Sequence, residues 1–168
     1  HGQQGHVMIF DLATFTAIHT AISIIAIVAG IPAVYGLFAS VTKSFWTTLF
    51  LVTAVLTSAT GYGFPFNGVL PSHVVGAIAL VLLAVVLVSR FVFRLEGSWR
   101  WIYAAGMVFS LYFLVFVAIA QAFMKIPVLR AAAPTQSELP FALSQGLTLV
   151  IFVALAIAAS RAFRPEPA

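Results

Sequence analysis

The side chains best suited to chemistry in this 168-residue sequence are its four histidines, at positions 1, 6, 19 and 73. His19 stands inside "DLATFTAIHTAISII" (residues 11–25), eight residues after Asp11. In a helix that offset is about 12 Å, so Asp11 belongs at a boundary while His19 lies at depth. Neutral imidazole is a good ligand for iron or copper. His19 and His73, on different helices, are therefore the candidate metal pair. A second set, His1 and His6 with His73 and Asp11, would make an external metal site. In it His1 chelates copper through amine and ring, provided it is the mature terminus. Tyr62, Gln121, Lys125 and Gln145 add hydrogen-bonding groups that could hold the head of a quinone or other lipid-like ligand.

Plainer roles exist for the same residues. His19 could hydrogen-bond a Thr, Ser or Gln of a neighbouring helix, an interaction contributing about 0.6 kcal/mol on average. His73, beside Pro71 and Ser72, could be an ordinary polar residue at a helix start. Gln121 and Lys125, one turn apart, could cap a helix end and snorkel. Catalytic motifs are missing: there is no Gly-rich phosphate loop, no His-Glu-x-x-His, no Gly-x-Ser-x-Gly and no paired buried carboxylates. The absence of cysteine removes disulfides, thiolate metal sites and covalent c-type haem attachment. The sequence leans away from an enzyme.

The elements that must position these groups are apolar. Hydrophobic residues make up 62% of the chain and charged residues 7%, against about 25% charged in a soluble domain. That is too little polar surface to cover a water-soluble globule, so lipid must be the solvent for most of the chain. Apolar runs of about 20 residues predict an all-α polytopic transmembrane bundle forming a single domain. Its five spans run over about 9–31, 45–64, 72–93, 99–124 and 139–162. Pro32 is expected to bend or end the first. The first run is too long for the core of a secretory signal and is expected to be retained. The other prolines fall at or near the connections, as helix boundaries require. No segment alternates with the period of a membrane barrel, and no internal repeat is visible.

Charge distribution predicts orientation. With the N-terminus outside, the inner side holds Lys43, Arg90, Arg94, Arg100, Arg161 and Arg164, and the outer side only Lys125 and Arg130. The positive-inside tendency then favours an outside N-terminus and an inside C-terminus, in a bacterial cytoplasmic membrane. Trp46, Trp99 and Trp101 fall at the inner interface as an aromatic belt. The net charge of +4 is thus a topogenic signal; no basic run suits nucleic acid. Small and polar residues at helical spacing, Thr16, His19, Ser23, Ala26 and Gly30, predict that His19 faces the bundle. Gly76 and Ala77 leave room beside His73. The uncharged stretch "GYGFPFNGVLP" (residues 61–71) reads as an interfacial loop, a lid or a docking surface. "APTQSELP" reads as a helix lead-in with Thr135 or Ser137 as its N-cap.

Apolar helices carrying a few histidines resemble, in pattern, small membrane b-type cytochromes and the membrane part of copper-resistance proteins. The resemblance implies haem b or copper ligated by His19 and His73. Three function classes follow. The first is a non-catalytic binding or accessory subunit with a polar site in the outer half of the bundle, associating with lipid, with other membrane subunits or with itself. The second is a haem or copper redox carrier. The third is small-solute transport as an oligomer.

Overall fold

The structure is a computed structural model that describes residues 11–64, 68 and 71–166. Those residues form six α-helices and one 3-10 turn, with no strand among them. The helices are α1 (Leu12–Phe38), α2 (Phe45–Thr60), α3 (Pro71–Phe91), α4 (Trp99–Lys125), α5 (Pro127–Ala132) and α6 (Leu139–Ala162); the 3-10 turn is Gly61–Gly63. Five of these elements are long and apolar enough to cross a membrane. The chain is accordingly an integral multi-pass membrane protein, all-helical among its described residues.

Local chemistry sets the helix ends. Asp11 caps α1, its carboxylate accepting the Thr14 amide at 2.7 Å. Ser44 caps α2, accepting the Thr47 amide at 3.1 Å. Pro71 and Pro127 occupy first helical positions, where a missing N–H costs nothing. Pro32 does not end α1, which continues to Phe38. The bond to the Val28 carbonyl is lost, but Ala29, Gly30, Ala33 and Val34 are all buried. Packing on both sides of the proline therefore holds the helix together, as neighbouring helices do for prolines in membrane spans. Nor do Thr135 or Ser137 cap α6. The N-cap position is Glu138, whose carboxylate turns back to accept the Thr135 amide, the Thr135 hydroxyl and the Ser137 amide.

Helices α1, α2, α3 and α4 form a closed ring, each touching the next and α4 touching α1; α6 lies outside it against α4 and α1. Small residues allow the close approaches. A Cβ at Gly30 of α1 would fall 2.6 Å from Leu111 of α4 and 3.0 Å from Phe50 of α2. One at Gly106 of α4 would fall 2.6 Å from Val86 of α3. Around these points lies the core of Ala29, Ala33, Phe50, Val86, Tyr103, Met107 and Val108.

The hydroxyls within the spans are largely spent on their own backbones. Thr16, Ser23, Thr53, Ser89, Ser110, Ser144 and Thr148 each donate to the carbonyl four residues back. In lipid this satisfies the polar group without a partner helix.

The two ends of the bundle differ. One gathers the starts of α1, α3 and α6 with the ends of α2 and α4, and carries His19, Tyr62, His73 and Lys125; it is the histidine end. The other carries Lys43, Arg90, Arg94, Arg100, Arg161 and Arg164. At this arginine end Arg100 donates to the carbonyls of Ser160 and Phe163, closing the C-terminus of α6. Ser40 accepts the Arg164 amide at 2.8 Å, and Phe163 is fully buried beside Tyr103.

Candidate functional site

The histidine end is organised by the 3-10 turn Gly61–Gly63, wedged between α1 and α3. Gly63 must lack a side chain, because a Cβ there would stand 2.7 Å from the Phe15 ring of α1. Phe15 meets Phe64 edge-on at 4.8 Å between centroids. On the other flank Tyr62 stacks on His73 at 5.8 Å and donates its hydroxyl to the His73 carbonyl at 2.6 Å. The space left by Gly76 is thereby filled: a Cβ at that position would sit 3.2 Å from the Tyr62 oxygen. The room expected beside His73 is taken by Tyr62.

His19, half-buried on α1, turns toward α2 as its helical stripe predicts. Its Nδ1 lies 2.7 Å from the Thr60 hydroxyl oxygen, and that oxygen lies 2.6 Å from the Leu56 carbonyl. Two oxygens at this separation need a hydrogen between them, and threonine has only one to give. Thr60 therefore donates to Leu56 and accepts from His19. Hydrogen counting thus assigns the neutral ring as the Nδ1–H tautomer, with the lone pair on Nε2. No described residue donates to that nitrogen. Phe64 covers the ring edge-on at 5.2 Å.

The remaining candidates divide. Tyr62 joins His73 and Thr60 joins His19, whereas Lys125 is exposed at the end of α4. Gln121, one turn before Lys125, is exposed. Gln145 is spent elsewhere: only 8% exposed, it donates to the Phe116 carbonyl at 3.0 Å, binding α6 to α4. Its Oε1 is buried without a partner. Asp11 is a cap, and the Thr14 hydroxyl and amide hold its carboxyl below the usual carboxylate range. Glu138 is held low in the same way, chiefly by the Thr135 hydroxyl. His1 and His6 lie outside the described residues. Among the described residues no three His, Cys, Asp or Glu side chains are grouped as a metal would need.

Two hollows lie away from His19 and His73. An apolar groove of about 510 Å³ runs between α3 and α4, past Val81, Val85, Phe109 and Phe113. A pocket of about 370 Å³ at the α4–α5 corner holds Arg130, Thr135 and Gln136 over Phe123 and Met124.

Thr60 is the functional neighbour that sequence reading leaves out of the site. The signal was available: His19 and Thr60 stand about equally far from the turn at Ser40, so an antiparallel hairpin places them face to face. The sequence matches no protein-family model, and no curated protein or solved structure matches it.

Proposed function

We propose that this chain is a small non-catalytic binding subunit of the bacterial cytoplasmic membrane, with its N-terminus outside. Its ligand is amphipathic, quinone-like or lipid-like, and lodges in the outer half of the bundle at the edge between α1 and α4. Other membrane subunits or further copies of the chain are its expected associates. One observation carries this reading. His19 is oriented by Thr60 so that its free nitrogen is an acceptor. A ligand head touching it would have its tail in lipid, since the flanking helix faces are apolar.

The orientation rests on charge: six of the eight Lys and Arg lie at the arginine end. Transport finds less support, because most hydroxyls inside the spans donate to their own helices.

Photolabelling in nanodiscs tests the reading. A photoreactive quinone should label residues near Gln121 and Lys125, and His19→Phe should abolish that labelling. Labelling spread over the lipid-facing leucines of α6, unchanged by the substitution, would refute it.

The haem or copper reading keeps one supporting feature: the Nδ1–H bond to Thr60 is the kind of outer contact that orients a ligating histidine. The pair His19 and His73 fits a shared haem less well. Tyr62 fills the space beside His73. Bound haem would supply one-electron transfer. A Soret band in purified protein, lost in His19→Ala, would establish this second reading; colourless, metal-free protein would remove it.

A further inference from the structure

The direction of the hydrogen bonds around His19 says more than that a ligand is bound, because it sets which partner atoms the site accepts. The chain of donors runs from His19 Nδ1 to Thr60 and from Thr60 to the Leu56 carbonyl, at 2.7 Å and 2.6 Å. Reversing the first step would leave the short Thr60–Leu56 contact without a hydrogen, a repulsion between two lone pairs. The ring is therefore locked with Nε2 as an acceptor while it stays neutral. The Phe64 edge beside it excludes water from one flank of the imidazole. The free nitrogen of His19 thus asks for a donor.

We infer that the site selects the reduced form of a quinone-type head group, a quinol hydroxyl donating to His19 Nε2. A quinone has acceptors only, and it turns a carbonyl lone pair against the lone pair of Nε2. A lipid hydroxyl has the same donor–acceptor chemistry, but it lacks a rigid ring to stack in the aromatic surroundings of Phe15 and Phe64. The inference rests on the proposed binding reading, and it concerns selectivity rather than binding itself. No electron or proton transfer is part of it.

The test is equilibrium binding to the full chain in lipid nanodiscs. The probes are a short-tailed benzoquinol kept reduced, the matching benzoquinone, and a short-chain diacylglycerol. Quinol should bind about tenfold more tightly than quinone, the difference expected for one hydrogen bond made rather than opposed. His19→Phe should remove the difference, Thr60→Val should narrow it, and Thr60→Ser should keep it. Ring ¹⁵N spectra, with the His19 signal assigned from His19→Gln, should show a protonated Nδ1 in the wild type and in Thr60→Ser. Tautomer mixing is expected in Thr60→Val. A purely structural histidine would leave the quinol-to-quinone ratio at one. Equal affinities, a wild-type ring protonated on Nε2, or preference for the diacylglycerol would overturn the inference while leaving a binding site in place. Failure of all three probes to bind would overturn the binding reading with it.

Discussion

Tyr62 lies nearly parallel to the His73 ring, 24° between planes, while its hydroxyl is bonded to the backbone carbonyl of the same histidine. One side chain thus fastens the tip of α2 to the first turn of α3. Tyr62→Phe removes the hydrogen bond and keeps the stack, so a loss of about 0.5–1.5 kcal/mol is expected. Tyr62→Ala removes both and should cost more. Unfolding in mild denaturant, with amide exchange at residues 73–76, checks the order. Equal stability of the three proteins would show that the contact contributes nothing.

Gly106→Ala tests the ring of four helices. Alanine gains about 1 kcal/mol in helix propensity, but its methyl would meet the stiff, branched Val86 at 2.6 Å. Overpacking of this kind costs about 1–3 kcal/mol, so net destabilisation is expected. The double variant Gly106→Ala, Val86→Ala should recover part of the loss. Thermal unfolding of the two variants against wild type decides it; a stabilised single variant would contradict the packing.

Arg100 tests the attachment of α6. The guanidinium stands in the first turn of α4, where the helix dipole disfavours a cation, yet it reaches the terminal carbonyls of α6, where the dipole favours one. Arg100→Met should cost about 1.5–3 kcal/mol, the range for hydrogen bonds to a charged group. The loss should be local: exchange protection should fall at residues 159–163 and hold in α2 and α3. Protection unchanged at the end of α6 would count against the contact.

Acid should weaken the histidine end. Asp11 and Glu138 both have carboxyls held below their ordinary values by donors from their own turns. Their stabilisation is complete above the ordinary carboxylate range, about pH 4, and is lost as pH falls through the lowered values. Asp11→Asn with Glu138→Gln should flatten the acid limb of a stability–pH curve between neutrality and pH 3. A gain of stability on acidification in wild type would reverse the sign and refute the account.

Much of the fold can be read from runs of apolar residues, because lipid demands about 20 of them per span and leaves few other ways to arrange the chain. The inward face of α1 is equally legible in the spacing of His19, Ser23, Ala26 and Gly30. The passage of α1 through Pro32 is not, since it depends on what α2 and α4 press against it. Helix α5 escapes notice because a Pro-bounded segment of six residues shows no periodicity. At the site, His19 is conspicuous, but its hydrogen-bond direction appears only once Thr60 and Leu56 are placed. The position of Tyr62 depends on a 3-10 turn that places its ring against α3, a geometry no local pattern announces.

Helix α6 packs chiefly against α4 and α1, is held near one end by Gln145 and at the other by Arg100 and Ser40, and leaves Leu143, Leu147 and Val150 facing outward. Its docking groove does not exist until the first and fourth helices stand side by side. Biogenesis therefore has a built-in order: α6, made after the four helices of the ring, must wait for α1 and α4 to meet before it can dock. Severing the polypeptide between residues 132 and 139 should give two fragments that reassociate in the bilayer without a covalent link.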